Sequence, residues 1–218
     1  GDVEIEISIP GGEAMAEKTM NGRLGIVGGL SILGTTGIVI PFSCSSWIHS
    51  IHQGIDVARA AGIDHVAGST GSTSEAAVAA LYDLEEQALI DMGDFAGGML
   101  KYLRDHPVAR VTIAGGVAKI AKLAAGFLDL HSGRSQVDFD WLADLAADLD
   151  ADPALQARIR DANTARQVMQ ICIEAQIPIA DELARRARDV AAGLLSDETE
   201  VEVLIFDRAG NLAGRAHG

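Results

Sequence analysis

Three short turns rich in small residues carry the side chains best suited to chemistry. They are Gly68-Ser69-Thr70-Gly71, Asp91-Met92-Gly93-Asp94 and Ala114-Gly115-Gly116, and each follows a short apolar run. Glycine lets a backbone approach a ligand closely, and the first turn of a following helix exposes free N–H groups. Asp91 follows Gly68 by about 20 residues, the distance at which a carboxylate is placed to bind ribose hydroxyls. The set fits an adenosine-containing ligand without the full G-x-G-x-x-G pattern. It fits equally a set of ordinary strand-to-helix turns in which Ser74 and Asp94 cap helices.

A second glycine-rich stretch, RLGIVGGLSILGTTGIVIPF at 23–42, holds Gly25, Gly28, Gly29, Gly34 and Gly37 among branched apolar residues. Within it GLSILGTT has the glycine spacing of a nucleotide-binding loop. That loop needs a lysine where Thr35 stands, to reach the outer phosphates, which argues against ATP or GTP hydrolysis. Residues 24–42 are long enough to span a bilayer, and Gly25-x-x-x-Gly29 is a helix-packing spacing there. Ser31, Thr35, Thr36 and Pro41, the lack of a second span and the lack of an aromatic belt argue against membrane insertion. Glycines also let a chain cross close to other backbone or to a flat ligand, and this stretch is expected to be such a buried crossing.

The remaining candidates are single residues. Lys119 and Lys122 lie just beyond the third turn, and Lys122 is expected on a solvated helix face. His49 and His52 are three apart, but two histidines without further ligands do not make a metal site. His131 in LDLHS is either a proton acceptor near neutral pH or a turn cap.

Composition sets the limits. The chain has 218 residues, 48% of them hydrophobic, enough to bury a sizeable core. Its 31 acidic and 17 basic side chains leave a formal charge of −14, which argues against a nucleic-acid partner. Cys44 and Cys172 form no C-x-x-C pattern and suit a reduced, cytoplasmic setting. The opening GDVEIEIS is not a signal peptide. It reads as the middle of a strand, so an N-terminal portion is expected to be missing.

The elements that must position the turns follow from periodicity. VEIEISI (3–9) alternates as a half-buried strand and PGG ends it. Residues 45–61 read as a helix. IDHVAG, ALIDMG and RVTIAG then each precede a small-residue turn and an amphipathic helix, which predicts a parallel sheet covered on both faces. Asp94 is expected to cap the helix over Phe95–Leu103. Residues 138–150 and 153–195 read as helical, with breaks at Asn163/Thr164 and Pro178. VEVLIF (201–206) and LAGRA read as a terminal hairpin.

RLGIVGGLSILGTTGIV, GSTGSTSEAAVAALYDL, DMGDFAGGMLKYL and VTIAGGVAKIAKLAAGFLDLHS occur in this order. Together they closely resemble the CbiD family of cobalamin biosynthesis, the cobalt-precorrin-5B C(1)-methyltransferases, from about residue 3 to the end. The resemblance implies S-adenosyl-L-methionine as methyl donor and carbon 1 of a cobalt-corrinoid precursor as acceptor. It implies a two-part α/β architecture with a methyltransferase-like C-terminal part. With the periodicity above, the expected fold is α/β, a Rossmann-like, mostly parallel sheet with flanking helices plus the C-terminal hairpin. Residues 1–42 would be the remnant of an N-terminal α+β domain plus the interdomain crossing, and 43–218 the methyltransferase-like domain. The family's threonine- and alanine-rich opening is absent, so the chain resembles its C-terminal portion. The resemblance leaves room for a homo-oligomer.

Carried over by position, the family's TG-x-x-SE motif falls on Thr70, Gly71, Ser74 and Glu75. Its MGDF motif falls on Met92, Gly93, Asp94 and Phe95, and the third turn supplies Gly115, Gly116 and Lys119. The expected donor site is therefore Gly68, Thr70, Gly71, Ser74, Glu75, Asp91, Gly93, Gly115 and Gly116. Arg23, Thr35, Thr36 and Lys119 are the expected substrate contacts, and Asp94 or His131 the expected proton acceptor. The competing reading is a non-catalytic adenosine-binding or corrinoid-scaffolding module.

Overall fold

The computed structural model describes residues 2–4, 6, 8–31 and 43–218. Ile5, Ile7 and residues 32–42, which include Thr35 and Thr36 and the whole second half of the glycine-rich stretch, lie outside the described residues. A short helix, α1 (Gly12–Ala16), and a series of turns lead up to residue 31. The chain continues with α2 (Cys44–Ala60), β1 (His65–Ser69), α3 (Ser72–Tyr82), β2 (Leu89–Asp91), α4 (Ala96–Asp105), β3 (Arg110–Gly116) and α5 (Val117–Ala124). Four helices follow, α6 (Phe139–Ala147), α7 (Pro153–Arg160), α8 (Ala165–Glu174) and α9 (Ile179–Ala192), and then β4 (Glu200–Phe206) and β5 (Leu212–His217).

The five strands form one sheet in the order β2-β1-β3-β4-β5. The first four run parallel, and β5 returns antiparallel to β4 as the expected hairpin. Val66, Val111, Ile113, Val203 and Ile205 join the larger core. Ala67, Ala114, Leu204 and Phe206, the alternate positions, pack with Val78 of α3 on the other face. Burial on both faces is why these strands read as near-continuous apolar runs.

The helix boundaries have local causes. Ser43, Asp138, Asp152 and Thr164 each accept a backbone N–H as N-caps of α2, α6, α7 and α8. Pro153 stands in the first turn of α7, and Pro178 immediately precedes α9.

Three expectations are corrected. The described residues of 3–9 form no strand, and Val3 is 81% exposed. Among the described residues the sheet holds only β1 to β5, and alternation without a paired strand does not make a ladder. Asp94 does not cap α4: Phe95 holds that position without a side-chain cap, and the Asp94 carboxylate faces Lys119 instead. Lys122 is not on a solvated face. It is only 6% exposed, and its Nζ donates to the Leu130 carbonyl at 2.6 Å.

Candidate functional site

The three small-residue turns meet at the carboxyl ends of β1, β2 and β3. The Thr70 N–H donates to the Ala114 carbonyl at 3.0 Å, and the Gly93 N–H donates to the Ser69 carbonyl at 3.0 Å. Gly115 has no side chain where β3 passes the first turn: a Cβ there would lie 2.8 Å from Thr70 Oγ1. Lys119, in the first turns of α5, ties the turns together. Its ammonium donates to the Thr70 carbonyl at 3.0 Å and pairs with Asp94 at 3.0 Å. After β1 the chain moves to β2 on one side and returns to β3 on the other, so the turns surround the point where the strand order reverses. Crevices at such points are where open α/β sheets bind ligands.

Around this crevice the charges are paired. Arg23 holds Glu75 with two bonds, at 2.8 and 3.0 Å, and reaches Glu86 at 3.2 Å. Its guanidinium thus already faces carboxylates. Asp91 ends β2 beside them. Burial first, then the charge of Glu75, pushes its carboxyl above the ordinary range, against the pull of Arg23 and Lys119. Gly71 precedes α3 with no side-chain cap, at an extended φ of 169°, and a Cβ there would meet nothing within 4 Å. Gly116 is equally open. The Ser74 hydroxyl turns back to donate to the Gly71 carbonyl at 2.8 Å. The buried Ser69 Oγ, at the end of β1, has no hydrogen-bond partner among the described residues.

Two expected residues stand apart from the crevice. Gly68 lies within β1, where Met99 fills the space a side chain would take: a Cβ would come to 2.3 Å from its sulfur. That glycine serves helix–sheet packing and does not face the crevice. His131 is exposed, and its Nδ1 accepts the Gly133 N–H at 3.1 Å, so its ring closes a turn. Only its neighbour Leu130 reaches the crevice loops, donating its N–H to the Asp94 carbonyl at 2.8 Å. Arg134 pairs with Asp129 on the same exposed loop.

The family profile described as CbiD, C-terminal domain, matches residues 129–217, and the profile described as CbiD matches residues 1–41. The chain belongs to the CbiD family. Relatives named cobalt-precorrin-5B C(1)-methyltransferase include one from Bradyrhizobium sp. (strain BTAi1 / ATCC BAA-1182), 61% identical over all of this chain and 58% of its own length. Another, from Paramagnetospirillum magneticum, is 59% identical over 99% of this chain and 60% of its own length. A third, from Methylorubrum extorquens, is 59% identical over 97% of this chain and 59% of its own length. The CbiD chain therefore spans about three fifths of these relatives, by the shares just given. No solved structure matches it.

The sheet of this CbiD chain takes β4 and β5 from the stretch matched by the C-terminal profile and β1 to β3 from before it. Sequence reasoning missed Trp47 and Glu86. Trp47 lies on the same face of α2 as the buried Ile51 and Ile55, yet it is 45% exposed. Its Nε1 donates to the Asp91 carbonyl at 2.9 Å, and its ring lies against Gly93, whose φ is 56°. Among the described residues no cluster of His, Cys, Asp and Glu is arranged to hold a metal ion, and no helix is long and apolar enough to cross a membrane.

Proposed function

We propose that this chain is the donor-binding part of a cobalt-precorrin-5B C(1)-methyltransferase, acting in cobalamin biosynthesis with S-adenosyl-L-methionine as methyl donor. The observation that carries this reading is the convergence of the three small-residue turns around Asp91, at the reversal of strand order. The names of the relatives support the reaction class. On this reading residues 43–218 form a Rossmann-like domain, and residues 1–42 belong to the remnant and crossing of a preceding one.

The residues present fit such a donor. Gly71 and Gly116 leave open space at the strand ends, and the uncapped start of α3 and the unpartnered Ser69 hydroxyl offer polar groups. Asp91 is placed to accept from ribose hydroxyls, with Glu75 and Asp94 adding negative charge near a cationic group. The donor supplies an activated methyl on a sulfonium. The protein's task is then to hold the reacting atoms in line, and a positioned encounter provides most of what a displacement needs. Lys119 locks two of the turns in place, and Asp94, held by Lys119, is the nearest candidate to take up a proton. Thr35, Thr36 and Arg23 were expected at the substrate. Arg23 instead shapes the donor side through Glu75.

Calorimetric titration with S-adenosylhomocysteine tests the donor. Asp91→Ala should weaken its binding by about 1–3 kcal/mol, the cost of losing a hydrogen bond to a charged group. The fold should survive, because burial makes this carboxylate unfavourable. Affinity should also fall in acid at a higher pH than for an ordinary aspartate, since protonation removes the acceptor. Absence of binding to the unaltered chain sinks the donor reading. Binding without methyl transfer to cobalt-precorrin-5B selects the non-catalytic module.

A further inference from the structure

A cavity of about 350 Å³ opens beside the end of β2, between α2 and the turn at 20–24. Its apolar lining includes Trp47, Ile51, Leu24 and Ile90, and its polar lining includes Arg23 and Asp91. Three features give it the character of a built site. The Trp47 indole is held in one orientation by its bond to the Asp91 carbonyl and by the Phe95 ring at 6.0 Å. Gly93 leaves room for that ring, since a Cβ there would come to 2.9 Å from it. The same Asp91 joins this cavity to the crevice at the strand ends.

We infer that this cavity receives the purine of an adenosyl ligand, with the Trp47 ring as its stacking surface. The inference rests on the proposed donor reading and extends it to a residue that the family motifs do not mark. Size favours a nucleoside: ligand pockets run from about 300 to 1,000 Å³, and this one lies near the lower limit, too small for a tetrapyrrole. Charge favours the same choice. Glu75 and Asp91 with Glu86 outnumber Arg23, which is already paired with two of them, so a precursor bearing many carboxylates would be repelled. A neutral ring attached to a cationic sulfonium meets no such opposition. An exposed aromatic face beside a hydroxyl-binding carboxylate is complementary to a base and its ribose.

The test uses the two tryptophans, Trp47 and Trp141. In a Trp141→Phe variant, titration with S-adenosylhomocysteine or 5′-methylthioadenosine should change the Trp47 emission, and homocysteine should not. Trp47→Ala should weaken S-adenosylhomocysteine binding about tenfold or more, as loss of a base-stacking aromatic does, while Trp47→Phe should retain most affinity. Ser46→Tyr, which narrows the cavity from the exposed side of α2, should abolish binding with little change in melting temperature, and it decides the matter even if Trp47→Ala does not fold. If the unaltered chain binds but Trp47→Ala and Ser46→Tyr bind as well as it does, the inference is wrong and the donor reading stands. If the unaltered chain binds none of these ligands, both fall.

Discussion

Gly71 has an extended φ of 169° and open space around its Cα. An alanine there is neither strained nor crowded, so no folding requirement accounts for the glycine. Gly71→Ala should change the melting temperature little and should weaken S-adenosylhomocysteine binding measurably if the ligand approaches this turn. Unaltered affinity would move the donor away from it. Gly68 is the contrast, because an added Cβ collides with Met99, and overpacking of that kind costs about 1–3 kcal/mol. In the sequence the two glycines look alike. Their roles separate only once α4 is laid against β1.

Among the elements, α9 was the most legible. Its apolar stripe, Ile179, Leu183, Ala184, Ala187 and Ala191, is buried, and Pro178 marks its start as the sequence indicates. Its charged face carries an ion-pair cluster. Glu182 accepts from Arg185 at 2.6 Å and from Arg186 at 2.9 Å. The Arg185 bond first, then Arg186, holds its carboxyl down at about 2 against the effect of burial. A folded value below the unfolded one means that the stabilisation is fully present above the ordinary glutamate range, near 4.5, and is lost as pH falls through about 2. Glu182→Gln should therefore destabilise the protein at neutral pH by roughly 1 kcal/mol, a modest value because Arg185 is half exposed. Melting curves of the two proteins should converge as pH falls from about 5. A constant difference across that range would show that the pair contributes nothing through its charge.

Across the whole molecule, Glu202 of β4 is fully buried and joins three other elements. It accepts from Tyr82 of α3 at 2.6 Å, Thr112 of β3 at 3.0 Å, Arg110 of β3 at 3.2 Å and Arg215 of β5 at 2.8 Å. His65 of β1 extends the set through Thr112 at 2.8 Å. Burial works to raise the Glu202 carboxyl, but the bonds from Tyr82, Thr112 and Arg215 outweigh it and hold the group below its ordinary range. Glu202→Ala should cost about 3–5 kcal/mol in urea unfolding at neutral pH, because a buried network loses its common acceptor. A loss under about 1 kcal/mol would mean that the two arginines find water or Glu200 without penalty.

By itself the sequence determined the order of strands and helices from β1 onward, the terminal hairpin, the three small-residue turns and the family. These depend on local periodicity, on caps and prolines, and on contiguous motifs, all of which are readable along the chain. It could not show that the described residues of 3–9 form no strand, that Lys122 turns inward to the Leu130 carbonyl, or that Asp94 faces Lys119 instead of capping α4. Nor could it place Trp47 against Gly93, or join Glu202 to residues as distant in sequence as Tyr82. Only the tertiary structure decided these, because burial and ion pairing depend on which side chains meet across elements, and periodicity carries no information about the partner.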